Sequence, residues 1–294
     1  MKTTINYLIA AFSLFLLSSC EDVVQIKLDE GSKLYVIDAF VNDLRSPQFI
    51  RVTTNDNYFS NRLAPPVTNA SVVLKDLTDN KQYTFNYVNE GNYMFSPGPT
   101  DTVGKINHQY ELNVTIDGYT YTSLTIQKRT AVIDSINAEY NEGGGGFGGP
   151  SEPFYFCTLY AKDKIDAATD YYWIKTYRND TLFSAPGDIN VCIDGTGGPV
   201  TSSPEDSIRF TPPATFLSFK TYKSGNTCRA EIHSIARDTY YFLIQAVSQV
   251  NNGGLFALTP ENVKSNIKTP EGAPVKGVGW FNMATVASMT KVMP

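Results

Sequence analysis

The chain has 294 residues, with 24 Lys and Arg against 29 Asp and Glu, two histidines and a formal net charge of −5. Its basic residues are scattered through an acidic background, so it lacks the electrostatic footprint of a nucleic-acid binder. No stretch reaches the roughly 20 apolar residues that a membrane-spanning helix needs, and the length suits one large or two ordinary domains with a sizeable core.

Lys2, an apolar run from Ile5 to Leu17 and the small residues before Cys20 follow the order of a secretory signal peptide. Leu17-Ser18-Ser19-Cys20 also resembles the bacterial lipobox, in which the cysteine thiol is acylated and becomes the first residue of the mature chain. Residues 1–19 are therefore expected to be removed, Cys20 to carry the lipid (palmitate-type acyl chains), and residues 20–32 to act as a tether. At ~0.8 kcal/mol per buried methylene, two or three acyl chains make a firm anchor. Removing Lys2 with the leader leaves 23 basic and 29 acidic residues, a mature charge of −6.

Residues 33–130 read as short strands with turn signals between them. Leu34–Val41, Ser71–Leu74, Tyr83–Tyr87 and Tyr110–Ile116 alternate with the period of two that strands require. Asp117-Gly118 lies between two such runs and predicts a two-residue hairpin turn with positive φ. Pro65-Pro66, Asp79-Asn80, Asn89-Glu90-Gly91 and Pro97-Gly98-Pro99 punctuate the rest. The spacing predicts an N-terminal antiparallel β-sandwich of immunoglobulin or transthyretin type.

A second β-rich domain is expected over 131–294. Gly143–Gly149 is an exposed glycine-rich loop, since no Lys-Ser/Thr follows it to make a phosphate cradle. Strands are predicted at Phe154–Ala161, Tyr171–Arg178, Phe216–Tyr222 and Cys228–Ile235, with Gly187–Pro213 a polar surface excursion. Tyr240, Leu243, Ile244 and Val247 recur at helical spacing, so one helix is predicted over about 238–250 with Asp238 as its N-cap. A last strand follows at Phe281–Val286.

Beyond Cys20 the cysteines are Cys157, Cys192 and Cys228, an odd number that allows one disulfide. Cys192 and Cys228, each beside a turn-rich segment, are the favoured pair; the alternative is three reduced, buried thiols. No zinc spacing and no other metal or cofactor motif is present. The histidines, His108 and His233, are read as surface or half-buried groups, and no Gly-x-Ser-x-Gly elbow accompanies them. Catalysis is not expected. Aromatic residues are abundant, and Tyr58, Phe59, Phe147, Trp173 and Trp280 are the candidates for contact anchors.

Several segments in order resemble a known family. They begin with Cys20-Glu21-Asp22, Lys33–Val41, Pro47–Val52 and Pro65–Val72, then Gly91-Asn92-Tyr93, Tyr110–Val114 and Asp117–Tyr121. Ile133–Ile136, Tyr171-Tyr172-Trp173, Ser234–Tyr241, Ser265-Asn266-Ile267 and Gly277-Val278-Gly279-Trp280-Phe281 continue the match. Together they resemble the Bacteroidota lipoproteins grouped as domain of unknown function 4249. The resemblance implies an outer-membrane lipoprotein, lipid-anchored and facing the cell surface, of the kind found beside TonB-dependent transporters; it supplies no catalytic residues. The expected function is a non-enzymatic accessory or ligand-capture module for such a barrel. A surface scaffold or adhesin is the alternative, and a hydrolase using His233 is a third.

Overall fold

Strand β1 (Leu34–Asn42) sets the pattern of the whole molecule: Tyr35, Ile37, Ala39 and Val41 turn to one face and are buried, while Val36, Asp38 and Phe40 turn to the other. A computed structural model describes residues 31–57, 60, 62–99, 101–145, 151–162, 169–193, 220–252, 259 and 261–294. The predicted leader, Cys20, Tyr58, Phe59 and Phe147 lie outside the described residues.

After β1 come β2 (Gln48–Thr54), β3 (Ser71–Asp76), β4 (Lys81–Asn89), β5 (Asn92–Phe95), β6 (Gln109–Ile116) and β7 (Tyr119–Ile126). The chain continues through β8 (Val132–Asn141), β9 (Phe154–Lys162), β10 (Tyr171–Arg178), β11 (Thr181–Leu182), β12 (Asn190–Ile193) and β13 (Thr227–Ile235). Helix α1 (Arg237–Val250), β14 (Lys276–Ala284) and β15 (Val286–Val292) complete it. Among the described residues the mostly-β class with one α-helix is as the sequence predicts.

The first sheet has eight strands in the order β14-β1-β2-β5-β4-β3-β6-β7. All eight turn one face onto a single core that includes Ile37, Ile50, Leu74, Phe85, Tyr93, Leu112, Tyr121 and Phe281. Full burial of such side chains is worth about 1.5–3 kcal/mol each relative to exposure, which makes this core the main source of stability. The sheet curls until its end strands approach: Thr122 exchanges backbone hydrogen bonds with Lys268 just before β14, and Tyr121 Oη donates to Val275 O at 2.6 Å. The predicted hairpin is present, with Asp117 at φ 51° and Gly118 at φ 85°. Its carboxylate also accepts the Tyr35 hydroxyl at 3.0 Å and the Asn69 amide at 3.1 Å.

The second layer places the β8–β9 ribbon against a sheet in the order β11-β10-β13-β15, with β12 also on β10. Ile133, Ile136, Cys157 and Leu159 meet Tyr172, Ile174, Ala230 and Ile232 in a separate core. The strand β8 was not expected from the sequence, because its exposed positions (Val132, Tyr140) blur the alternation. Of the predicted strand at Phe216–Tyr222, residues 216–219 lie outside the described set, and Tyr222 makes a single bridge to Tyr155.

Residues 131–294 do not all stay in this layer. Strand β14 returns to the first sheet and pairs in parallel with β1, from Leu34↔Lys276 to Asn42↔Ala284. The chain then crosses at Thr285 and pairs as β15 with β13. Residues 33–294 accordingly cluster as one compact unit. The predicted last strand, Phe281–Val286, is thus two strands in two sheets. Helix α1 begins one residue earlier than predicted and its N-cap is Ala236, with no side-chain cap; Asp238 instead accepts the neighbouring Thr239 N–H. Its buried positions are Thr239 and Leu243, while Ile244 is exposed, so the apolar stripe is rotated from the predicted one. Among the described residues no helix is long and apolar enough to cross a membrane.

Parallel pairing of β14 demands a close approach. Gly279 sits at φ 123°, and a Cβ there would lie 1.9 Å from Ile37 O. Gly279→Ala should therefore lose at least about 3 kcal/mol of stability in urea unfolding. The control, Gly187→Ala, has open space around it and should stay within about 0.5 kcal/mol of the parent.

Candidate functional site

Two surfaces face each other between the layers: the outer side of β1 and β2, and the side of β10 and β13 turned away from the second core. Register places Trp173 opposite His233, Lys175 opposite Glu231, and Tyr177 opposite Arg229. On the facing sheet Asp38 pairs with Arg51. Period-two alternation thus puts apolar side chains into the second core and lines this seam with charge.

Glu231 is the hub of the seam. Its Oε2 accepts Tyr177 Oη at 2.8 Å and His233 Nε2 at 2.9 Å, and Arg229 bonds Oε1. Burial pushes the Glu231 carboxyl up, but His233, Tyr177 and Arg229 together hold it below its ordinary value. Burial pulls His233 down to about 4, against the pull of Glu231, so its ring is neutral at pH 7 with a proton on Nε2. The Arg229 guanidinium also lies 3.6 Å from the Tyr177 ring centre and 3.4 Å from Asp180. Lys175 rests 4.2 Å from the Trp173 ring centre, its ammonium depressed by burial and supported by Glu231 and Asp38. Desolvation raises Asp38 against Lys175 and Arg51, yet the residue keeps solvent access, which places it in a recess open to water.

The deep end of the seam, between Phe40, Trp173, Lys175 and His233, is too narrow for a water-sized sphere. No hydroxyl among the described residues bonds His233. At that end the seam is a packed polar contact with no room for a ligand.

A wider cleft opens on the other side of Ile235. It measures about 480 Å³ and is lined by Lys128, Thr169, Asp170, Tyr171, Ile235 and Arg237. That volume falls in the usual range for small-ligand sites. Asp170 is engaged by Arg129 through Nε at 2.8 Å and Nη2 at 2.6 Å. Lys128 and Arg237 therefore leave the cleft positive in a protein of net negative charge. Arg237 is also the first residue of α1, whose N-terminus lacks a side-chain cap and adds partial positive charge. Tyr171 supplies an aromatic wall and stacks at a tilt on Tyr240, ring centres 5.4 Å apart.

The acidic-histidine group Asp76, Asp79 and His108 has ligand atoms within 4.8 Å of one another. The lone pairs of Asp76 are already spent. Asp76 accepts Thr78 N, Asp79 N, His108 Nδ1 and Tyr110 Oη, and Lys105 bonds Asp79. These bonds close the β3–β4 turn, and the set does not fit a metal ion.

The sequence-predicted anchors fare differently. Trp173 is half-buried in the seam, edge-on to Phe40 at 5.1 Å, and is no loop-borne contact. Trp280 is only 5% exposed, stacks on Phe242 at 4.4 Å and donates Nε1–H to Thr239 at 2.9 Å, so it is a core residue. The proposed Cys192–Cys228 disulfide is also corrected. All three described cysteines are free, and these two lie on opposite edges of β10, beside Tyr172 and Arg178. Six register steps of about 3.3 Å separate them along the sheet by roughly 20 Å, against the ~7 Å limit on Cα separation in a disulfide. Lys128, Asp170, Tyr171 and Arg237 went unnoticed in the sequence because three distant segments supply them.

The geometry defines a mostly-β protein of two sheet layers joined by a polar seam, with one cationic cleft beside its helix. The chain belongs to the family described as Domain of unknown function (DUF4249), matched over residues 21–290. No curated protein matches it. The family segments singled out in the sequence are architectural: Gly277 lies under the Tyr121 ring, Gly279 against Ile37, Trp280 under α1 and Phe281 in the first core. Asn266 completes the set by bonding both the N–H and the C=O of Phe281 at 2.8 Å.

His233 carries a pH prediction. Its folded pKa of about 4 lies below the ordinary 6.5, so between those values the unfolded chain binds the proton first. Its contribution to stability is complete above pH 6.5 and is lost as pH falls toward 4, a change on the order of 3 kcal/mol. Gln at this position keeps a donor for Glu231 but does not titrate. Urea unfolding at pH 7.5 and 4.5 should show a smaller acid loss in His233→Gln than in the parent, and Asp38 cancels in that comparison. Equal losses would remove His233 as the titrating group.

Proposed function

We propose that this protein is a lipid-anchored, non-enzymatic capture module of the outer membrane, gathering a small anionic ligand for a TonB-dependent transporter. Acylated Cys20 holds it at the surface, and residues 20–32 give the folded unit reach. Tethering raises the effective concentration of the module near a membrane partner without any new contact. The observation that carries the capture reading is the cleft of about 480 Å³ with Lys128, Arg237 and Tyr171 on its walls and Asp170 already neutralised by Arg129. A carboxylate or phosphate group there would meet two cations, and Tyr171 offers its ring to the rest of the ligand. The non-enzymatic reading is supported by the state of His233 and Glu231, whose hydrogen bonds are spent on each other and on Tyr177 and Arg229.

Two measurements separate capture from partnership. Citrate at millimolar concentration should raise the melting midpoint of the anchor-free chain by a few degrees through preferential binding to the folded state. The double variant Lys128→Gln, Arg237→Gln should lose that shift while melting normally without citrate; an unchanged shift would remove the cleft from the reading. Separately, the tagged lipidated protein extracted in gentle detergent should bring a barrel with it in stoichiometric amount, identified by mass spectrometry. Recovery of the lipoprotein alone would count against the transporter partnership.

A further inference from the structure

The second core holds two thiols from facing sheets. Cys157 on β9 and Cys228 on β13 are both fully buried and come from the two sheets that this core joins. Both belong to one contiguous cluster of buried side chains, which also holds Tyr222 and Met293. Cys157 Sγ lies 3.8 Å from Met293 Sδ, so the pair is roofed by the C-terminal segment. The backbone around them is fixed: Tyr155, two residues before Cys157, exchanges N–H···O bonds of 2.8 and 3.0 Å with Tyr222. The third thiol, Cys192, is buried away from both, on the far edge of β10.

We propose that Cys157 and Cys228 are a disulfide pair, which an external disulfide oxidises to staple the β8–β9 ribbon onto the five-stranded sheet. One of the two cysteines, as its thiolate, displaces one thiolate from the oxidant's disulfide and forms a mixed disulfide. The other then gives up its proton and attacks the first cysteine's Sγ, and the oxidant's second sulfur leaves as a thiol. Two protein thiols are oxidised, and the oxidant's disulfide takes the two electrons and two protons. Both sulfurs are inaccessible in the folded chain, so the exchange takes place during folding. The staple closes a loop of about 70 residues, long enough for a large effect on the unfolded ensemble. It is independent of the ligand cleft and of the membrane anchor.

Trypsin places the three cysteines in separate peptides: Thr130–Lys162, Asn179–Arg209 and Ser224–Arg229. The full chain carrying Cys20→Ala would be refolded in a glutathione redox buffer, alkylated, digested without reduction and mapped by mass spectrometry. The expected product joins Thr130–Lys162 to Ser224–Arg229, with Cys192 alkylated. A link from Ser224–Arg229 to Asn179–Arg209, or three alkylated cysteines, would overturn the proposal. The oxidised chain should also melt several degrees above the Cys157→Ser variant measured in the same buffer. Equal midpoints would show that the bond does not staple the layer.

Discussion

Everything between the two layers depends on one crossing of the chain at Thr285. Strand β14 ends in the first sheet at Ala284 and β15 begins in the second at Val286, with a single residue between them. Such a crossing leaves backbone polar groups without a ladder, and each would be costly if buried unpaired. Side chains from distant segments satisfy them. Asp43 accepts Val286 N at 3.0 Å, Gln127 Nε2 donates to Ala284 O and to Thr285 Oγ1, and Ser234 Oγ accepts Thr285 N at 2.8 Å. Ser234 also donates to Lys128 O, which ties the linker between the layers to the same point. One residue therefore fixes where the first sheet, the second sheet and the linker meet.

Magnitudes decide what the rest of the interface contributes. The seam around Glu231, Lys175 and Asp38 gathers charge between the sheets, and buried ion pairs roughly break even against their desolvation. Cohesion comes instead from the shared strands and from aromatic packing at the edge of the seam, where Phe40 meets Trp173 and Trp280 stacks on Phe242. The Glu231 cluster acts on register within the second sheet: the β10–β13 pairing brings Tyr177 onto the carboxylate that Arg229 and His233 of β13 also hold. The same register sets Tyr171 opposite Ile235, and with them one wall and the floor of the cleft.

Local chemistry was legible in the sequence and long-range pairing was not. Asp117-Gly118 announced its hairpin because a two-residue turn requires positive φ at both positions, and both have it. The period of two marked β1, β3, β4, β6 and β7, and the helical spacing marked α1 to within a residue. By contrast, nothing near Lys276–Ala284 says that this strand belongs beside β1. Gly277 and Gly279 stand out in the sequence as a pattern, but the Tyr121 ring and the Ile37 carbonyl that require them lie more than a hundred residues away. Cysteine pairing failed for the same reason: closeness to turns suggested Cys192, whereas the register across β10 sets it apart from Cys228. The cleft was invisible because Lys128, Asp170 and Arg237 acquire a common purpose only once β10, β13 and the linker are assembled.

Scanning calorimetry of the anchor-free chain tests the account most directly. If β14 and β15 bind the two layers into one unit, residues 33–294 should unfold in a single transition whose calorimetric and van't Hoff enthalpies agree. Two separable transitions, with one layer melting while the other keeps its strand content, would contradict it.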